Sequence, residues 1–534
     1  MEANFQIFLI LLGVLAAIAL LARRLDIAPA ILLLATGVGL AFVPGLPRIE
    51  LPPDLVLLVV LPPLIYSASV AMSWREFRAN LRPISLLAIG CVIFTAALVA
   101  TGTHFLIGLP WNVGFLLGAI VAPPDVVAPL AIARKLKLPR RVLVILEGEG
   151  LANDATALIL YRFAVVAITT GAVSLPKASV TFFGIVIGEI LFGIVIGWLS
   201  LRMRRWARDP QVEITLSLIT PYLAFWVPEH LGGSGVLSTV ACGLYISWNG
   251  PLLISAATRL QGIFFWDLVI YAIEGLLFLL TGFQMRQVIE KSKDFPINDI
   301  LIAIALVSAI VVIARFAWVF PGMYLPRLFS KTIRRSERPP PWRNVFVVAF
   351  TGVRGAVSLA AALALPLALP TGEGFPHRDL ILFVSFGVIL TTLIGLGLTL
   401  PLVVRKLGVT QLGASEIQRE HEAEIEARRN ALEAALTSLD AMTNDRELSD
   451  EVVKLLRARH ETRSSQLPID LTDGVDASAL GIDLTRELIA AERQFIHALL
   501  RDGKINDEAR RRIERDLDLE EASLANREYR HNPL

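Results

Sequence analysis

Charged residues are scarce in this chain of 534 residues: Asp, Glu, Lys and Arg make up only 18% of it, whereas hydrophobic residues make up 54%. A soluble protein normally contains about 25% charged residues, and the mean hydropathy here is +0.62. The charges are also unevenly distributed, since 45 of them lie in residues 412–534 and 53 in the preceding 411 residues. The composition therefore predicts a membrane-embedded body followed by a charged tail in water.

Three further absences exclude other classes of protein. Cys91 and Cys242 both lie inside apolar stretches, so neither a disulfide framework nor a cysteine metal site is available. No glycine-rich loop ends in Lys-Ser or Lys-Thr, which disfavours a nucleotide site and an ATP-driven pump. The basic clusters lie only in short loops between apolar runs, which argues against nucleic-acid binding. We therefore expect no cofactor, no nucleic-acid partner and no enzymatic activity.

Long apolar runs dominate the body instead. A run of about twenty residues can cross about 30 Å of hydrocarbon as a helix. Thirteen such runs occur, at approximately 4–22, 27–45, 52–72, 83–108, 112–133, 142–170, 180–201, 212–227, 231–248, 259–284, 297–326, 344–369 and 378–404. Because the first run has neither a positive start nor a cleavage pattern, we expect it to be a retained helix rather than a signal peptide. The predicted fold is an all-α membrane protein in contact with the lipid bilayer, with about 13 transmembrane helices.

Lysine and arginine residues accumulate in alternate loops, which predicts the orientation of the spans. Twenty-one of them lie in loops on one side of the predicted membrane and six in loops on the other. The basic side is expected to face the cytoplasm, so the N-terminus is predicted outside and the tail inside. Because a wrong number of spans would mix the two sets of loops, the asymmetry also supports the number.

Two predicted spans contain helix-breaking residues at corresponding positions. Residues 122–125 (Ala-Pro-Pro-Asp) put two prolines in the middle of span five, and residues 351–355 (Thr-Gly-Val-Arg-Gly) put two glycines in span twelve. Irregular backbone at membrane depth is tolerated only where protein or a watery cavity satisfies it. The breaks lie seven spans apart. Spans 1–6 and 8–13 are therefore predicted to be inverted repeats whose broken helices cross at the centre.

Three charged residues are predicted near the middle of the membrane, where such residues are costly and are functional candidates. Counted from the flanking loop arginines, Asp125 lies about 13 Å, Asp154 about 19 Å and Arg354 about 16 Å from the cytoplasmic edge. Structural interpretations stay open for the two acids. Asp125 could cap a broken half-helix, and Asp154 could form a buried hydrogen-bonded pair with Asn153.

Carboxylates in such a place can perform ion exchange. Glu147, Glu149, Asn153 and Asp154 occur within eight residues of span six, on neighbouring turns of one helix. A carboxylate binds a small dehydrated cation and also accepts a proton, but it does not hold both at once. Burial disfavours the charged form of a carboxylate, so that the two ions compete near neutral pH. A site that crosses with a cation one way and a proton the other way performs antiport.

Three segments resemble the motifs of NhaP/NHE-type monovalent cation:proton antiporters. They read GAIVAPPD at residues 118–125, EGEGLANDATA at 147–157 and FTGVRGAVSLA at 350–360, and the resemblance covers roughly residues 5–407. It implies exchange of Na⁺, and alternatively Li⁺ or K⁺, for H⁺ in pH homeostasis, with no cofactor besides the transported ions. It also implies a homodimer, a core domain that moves against a dimerisation domain, and a bacterial inner membrane.

The resemblance implies the residues of the ion site. Asp154 is the carboxylate that binds the cation and the proton, and Asn153 is its polar neighbour. Asp125 occupies the position of the family's span-five aspartate, and the backbone oxygen of Pro124 is expected to supply a further metal ligand. An Asn-Asp pair resembles the electroneutral branch of the family, in which one proton is exchanged per cation.

The resemblance also implies a supporting ion pair, since Glu149 and Arg354 match the buried pair that ties span six to span twelve. The sequence departs from the family pattern at Ser67, Pro124, Val126 and Gly150. These departures leave the coordination of the cation, and hence the choice among Na⁺, Li⁺ and K⁺, open.

Other buried ionisable residues carry weaker predictions. Glu274 in span ten is either an extra proton-accessible carboxylate or a cavity-lining residue. Arg162 and Arg315 are expected to be structural or to neutralise nearby carboxylates. Two other classes of transporter compete with antiport: a sodium-coupled carrier of an organic solute could use the same broken helices, and a cation channel would need a continuous pore.

The tail, residues 412–534, is predicted to be a small helical cytoplasmic domain following the transmembrane domain of residues 1–411. Apolar residues recur at helical spacing in its first part, at Ile425, Leu432, Leu436 and Leu439. A second helix is predicted to begin at Asp450, with further helices at 477–501 and 506–527. Such a domain could stabilise a dimer or sense pH or a partner.

Overall fold

The chain is nearly all helical in the computed structural model. The structure describes residues 2–25, 28–43, 55–170, 175–286, 289, 296–336, 339–369, 372–445, 450–465, 484–486, 488–496, 499, 513–514 and 516–522. The chain divides into two compact units, residues 1–414 and 415–534, close to the predicted boundary after residue 411.

The first unit contains the apolar helices of the body. They are α1 (Glu2–Leu25), α2 (Pro29–Ala41), α3 (Leu61–Ala71), α4 (Trp74–Ala79), α5 (Leu81–Ser85), α6 (Val92–Ile107), α7 (Trp111–Val121), α8 (Val127–Lys135), α9 (Arg140–Thr170), α10 (Leu175–Ala207), α11 (Pro210–His230), α12 (Val236–Leu253), α13 (Ala256–Phe283), α14 (Ile297–Phe329), α15 (Lys331–Ser336), α16 (Trp342–Phe350), α17 (Ala356–Leu363) and α18 (Arg378–Leu407). π-helical turns at Leu55–Val60 and Leu86–Cys91 lead into α3 and α6.

Each of the thirteen predicted spans coincides with helical residues, and the expected all-α class is confirmed. By length and composition, six helices in the described part of the chain suffice alone to cross a membrane: Leu81–Ile107, Arg140–Thr170, Val180–Ala207, Ala257–Phe283, Ile297–Phe329 and Arg378–Leu407. Others are shorter, such as Pro29–Ala41, or are interrupted, as spans five and twelve are. The number of membrane crossings therefore stays a prediction.

Two apolar clusters hold the four half-helices of spans five and twelve. One cluster contains buried residues of α7 and α17 together with residues of α14 and α18, among them Leu116 and Ala362. The other contains buried residues of α8 and α16, among them Ile132 and Val347. Each break therefore joins a half-helix in one cluster to a half-helix in the other. Burial of these apolar faces fixes where the two unwound segments lie.

The tail begins with α19 (Val409–Asp445), followed by α20 (Asp450–Ser465). Leu439 is buried and Ile425, Leu432 and Leu436 are half-buried, as the predicted amphipathic pattern requires. Farther along, the pKa of the Arg493 guanidinium is raised by its hydrogen bonds to Glu521 and Asp518. Of the predicted helices at 477–501 and 506–527, only parts lie within the described residues.

Candidate functional site

The unwound segments of spans five and twelve are hydrogen-bonded to each other. Helix α7 ends at Val121 and α8 begins at Val127, while α16 ends at Phe350 and α17 begins at Ala356. The N–H of Asp125 donates to the carbonyl of Val353 at 2.7 Å. The broken helices therefore cross where the sequence predicted, because backbone groups that leave a helix in an apolar interior need partners elsewhere.

Arg354 bridges the same two segments. Its side chain is 1% exposed, and its Nε donates to the carbonyl of Val121 at 2.6 Å while its Nη1 donates to that of Gly352 at 2.8 Å. Its backbone N–H donates to Oγ1 of Thr392 at 3.0 Å. Because Val121 is the last residue of α7, the guanidinium lies at the negative end of a half-helix dipole, where a cation is stabilising.

Asp125 lies beside this bridge at the start of α8. Its Oδ1 accepts a hydrogen bond from the N–H of Val127, the first residue of α8, at 2.9 Å. The carboxylate thus satisfies one free donor of this half-helix, although the N-cap residue itself is Val126. Gly355 lies so close to the Asp125 carboxylate that a Cβ on residue 355 would overlap it. Only glycine therefore fits at position 355, which gives the second glycine of the span-twelve break a steric reason.

Asn153 and Asp154 lie on the continuous helix α9 and face the span-five break. Asn153 is fully buried, and its Nδ2 donates to the carbonyl of Pro124 at 2.7 Å. This bond orients the amide, and the other amide atom, Oδ1, is buried with no partner among the described residues. The carbonyl of Pro124 keeps a second lone pair.

Asp154 is half-buried, and none of the described residues forms a hydrogen bond with its carboxylate. It lies within Coulombic range of Asp125. The structure thus brings together four of the predicted site residues and their hard oxygens: two carboxylates, one amide and one carbonyl. Within the described ranges, no group of three or more His, Cys, Asp or Glu side chains is arranged to hold a metal ion.

The expected ion pair between Glu149 and Arg354 is wrong. Glu149 is fully buried and pairs with Arg315 of α14, whose Nη1 and Nη2 donate to its two carboxylate oxygens at 2.6 and 2.9 Å. Arg315 also donates to the carbonyl of Val348 near the end of α16. Arg354 instead directs its Nε and Nη1 to the carbonyls of Val121 and Gly352 at the two breaks.

The correct partner was present in the sequence as an arginine within an apolar span, which is itself a signal of function or pairing. Depth along the membrane could not select between Arg315 and Arg354, since both lie far from the loops. Of the other expected acids in α9, Glu147 pairs with Arg134 at 2.7 Å and so does not join the site.

Two departures from the family pattern contact each other. A Cβ at Gly150 would meet the side chain of Val126, so that Val126 occupies the space into which a larger residue 150 would extend. A third departure, Ser67, lines a separate cavity. Glu274 of α13 is half-buried and lies within Coulombic range of Asp125 and Arg134.

Glu189 has a clear structural role that the sequence analysis missed. It is 3% exposed and accepts hydrogen bonds from the N–H groups of Ser234, Gly235 and Leu237, at the start of α12. A buried carboxylate at a helix N-terminus satisfies several donors at once. The glycine-rich segment before α12 was the available signal. Arg162, which the sequence left as structural or neutralising, pairs with Glu229.

Comparison with known proteins matches this chain to one family and one fold. Residues 9–406 match the family model described as sodium/hydrogen exchanger, transmembrane. An uncharacterised Na⁺/H⁺ exchanger of Mycobacterium tuberculosis is 33% identical over 94% of this chain and 93% of its own length. A sodium, potassium, lithium and rubidium/H⁺ antiporter of Bacillus pumilus is 32% identical over 83% of this chain and 67% of its own length. The sodium proton antiporter MjNhaP1 from Methanocaldococcus jannaschii has a similar fold, with a TM-score of 0.60 at 17% identity, covering 76% of this chain and 99% of that one.

Proposed function

Because the chain belongs to the sodium/hydrogen exchanger family, it exchanges a monovalent cation for a proton across a membrane, and we propose that both ions compete for Asp154. The resemblance carried by the three motifs is thereby confirmed, and the protein is a multi-pass transporter rather than an enzyme. The transported ions are its substrates.

One observation carries the proposal for the site. Among the described residues, none forms a hydrogen bond with the Asp154 carboxylate, and none donates to the buried Oδ1 of Asn153. A buried acceptor without a partner is costly unless something else satisfies it. A dehydrated cation satisfies both oxygens, and the second lone pair of the Pro124 carbonyl offers a third. A proton on Asp154 makes the carboxyl group neutral and releases the cation.

The other charges of the site are compensated, which leaves the exchange to the aspartates. Glu149 is neutralised by Arg315, and the Arg354 guanidinium is held by carbonyls at a half-helix end. Asp125 is stabilised by the N-terminus of α8 and acts on Asp154 through its charge. With Asn153 neutral, we propose that one cation replaces one proton on Asp154, so that the exchange is electroneutral.

Several finer features of the proposal rest on the family and on the loop charges. We propose Na⁺ as the cation, with Li⁺ and K⁺ as the alternatives to be compared. The B. pumilus relative is named for all three of these ions and for rubidium. We further propose a homodimer in a bacterial inner membrane, with the N-terminus outside and the charged tail in the cytoplasm, because 21 of the loop Lys and Arg residues lie on that side.

The test is exchange in proteoliposomes that contain a pH-sensitive dye and an imposed pH gradient. Addition of Na⁺, Li⁺ or K⁺ outside should dissipate the gradient, with or without a clamped membrane potential. Asp154→Asn should abolish the signal, since an amide accepts no proton in this range. Asp299→Asn, at an exposed acid in the first turn of α14, is the matched control and should exchange normally.

Three outcomes would contradict the proposal. Full exchange by Asp154→Asn would remove that carboxylate from the mechanism. A current driven by membrane potential without proton movement would indicate a channel. Dissipation of the gradient only in the presence of an added organic solute would indicate a sodium-coupled carrier.

A further inference from the structure

A second cavity lies away from the exchange site. It has a volume of about 440 Å³, is partly open, and is lined by residues of α3, α10, α11, α12 and α13 but not by Asp125, Asn153 or Asp154. Its volume falls in the range of about 300–1,000 Å³ that is usual for small-molecule sites. Its wall is largely apolar, with side chains such as Val70, Ile246 and Trp266. The cavity is therefore large enough and apolar enough to hold part of an amphipathic molecule.

Two buried charged side chains line this cavity, and neither forms an ion pair with a described residue. Arg204 is 5% exposed and Glu213 is 3% exposed. Arg204 donates through Nη2 to the hydroxyl of Tyr66 at 2.8 Å, but its Nε has no partner among the described residues, and neither has Oε2 of Glu213. Both residues are described, and no ion pair joins them. Buried charges without partners are costly, so such an arrangement is expected where a ligand supplies the partners.

The charges of the whole lining indicate what kind of ligand fits. Arg259 and Asp267 also line the cavity, so the two positive and two negative side chains cancel. A purely anionic or purely cationic ligand would leave one sign uncompensated. A zwitterion compensates both signs.

The position of the two buried charges indicates the source of the ligand. Arg204 lies in the last turn of α10 and Glu213 in the first turn of α11, on either side of a short loop. The loop belongs to the basic set that is predicted to face the cytoplasm, so we expect both charges at the depth of the lipid headgroups on that side. An apolar cavity at this depth is open to a molecule with acyl chains.

We propose that this cavity binds the zwitterionic headgroup of an aminophospholipid, with the phosphate at Arg204 and the primary ammonium at Glu213. The acyl chains continue along the apolar wall. A primary ammonium donates hydrogen bonds to a carboxylate, whereas a quaternary choline does not, and a glycerol headgroup carries no positive charge. Phosphatidylethanolamine therefore hydrogen-bonds to both side chains. Phosphatidylcholine matches both in charge but hydrogen-bonds only to Arg204, and phosphatidylglycerol carries no cation for Glu213.

Native mass spectrometry of the purified full-length protein tests the proposal by counting bound lipids. The probes are phosphatidylethanolamine, phosphatidylcholine and phosphatidylglycerol with identical acyl chains. We expect one phosphatidylethanolamine per chain to bind at least tenfold more tightly than the other two. Free phosphoethanolamine should displace it only at much higher concentration, because it has no chains. Equal binding of the three lipids, or displacement by phosphoethanolamine at equal concentration, would overturn the proposal.

Matched variants assign the binding to the two charges. Arg204→Gln and Glu213→Gln should each weaken phosphatidylethanolamine binding at least tenfold. Arg205→Gln, an exposed charge beside Arg204 on α10, and Asp299→Asn should leave it unchanged. Arg204→Lys keeps the positive charge and should bind within threefold of the wild type, which covers the case in which Arg204→Gln does not fold. Unchanged phosphatidylethanolamine binding in Glu213→Gln would overturn the proposal. Because the experiment measures lipid binding and not transport, that result would leave the proposed exchange mechanism unaffected.

Discussion

The buried pair Glu149–Arg315 offers the sharpest test of the tertiary structure. Both side chains are almost completely inaccessible, at 0% and 1% exposure, and two hydrogen bonds join them. Removing one partner of such a pair leaves an uncompensated buried charge, at a cost of about 3–5 kcal/mol in the free energy of unfolding. We therefore expect Arg315→Gln to lower the free energy of unfolding by about that amount.

A double-mutant cycle separates this pair from the one expected from the family motifs. The double variant Glu149→Gln with Arg315→Gln leaves no lone buried charge. Its loss in the free energy of unfolding should therefore be well below the sum of the losses in the two single variants. The coupling energy should reach about 2–3 kcal/mol. Arg354 bonds to carbonyls rather than to Glu149, so its coupling energy with Glu149 should be only about 0.5 kcal/mol.

The wild type, the two single variants and the double variant of each cycle are purified in detergent micelles and titrated with denaturant. Equilibrium unfolding then gives the free energy of unfolding of each protein. Arg205→Gln, an exposed arginine of α10, serves as the control for the loss of a positive charge. A coupling of Arg354 with Glu149 that equals or exceeds that of Arg315 would refute the assignment of the pair.

Three further predictions follow from the site and its neighbours. Gly355→Ala should lower the free energy of unfolding by about 1–3 kcal/mol and slow exchange in vesicles at least tenfold, because the added Cβ overlaps Asp125. Gly184→Ala places its Cβ in open space and should change neither the stability nor the exchange rate. Asn153→Asp should make exchange respond to membrane potential, because a carboxylate in place of the neutral amide beside Asp154 adds a charge to the carrier. A potential-independent rate in that variant would count against the electroneutral scheme. Glu189→Gln should lower the free energy of unfolding by about 1–3 kcal/mol while the folded fraction exchanges at the normal rate, and a slower rate per folded molecule would show that its role extends beyond capping α12.

The positions of the helices and of their breaks could be predicted from the chain alone. Hydrophobic length is a local property, and so is the loss of a backbone donor at Pro123 and Pro124, so the α7–α8 interruption was found at the correct residues. The crossing of the breaks followed from their spacing of seven spans. The candidate carboxylates could be selected because charge at membrane depth is rare and costly.

The partners of the buried charges could not be predicted in the same way. A guanidinium extends far from its Cα, so Arg315 and Arg354 both had the reach and the depth to meet Glu149. In the folded chain, Nε and Nη1 of Arg354 bond to carbonyls of the two breaks, and both oxygens of Glu149 bond to Arg315. The family motif suggested Arg354, and the packing of α14 against α9 and α16 decided for Arg315.

The sequence by itself determined what kind of molecule this is and which acids are candidates for its site, because hydropathy, helix breaking and the cost of buried charge all act locally along the chain. Only the tertiary structure decided the contacts that make a site of them. The bond from Asn153 to Pro124, the unpaired oxygen that this bond leaves, and the fit of Gly355 against Asp125 all join residues from different helices. Such contacts depend on the relative placement of packed elements, and no local pattern encodes that placement.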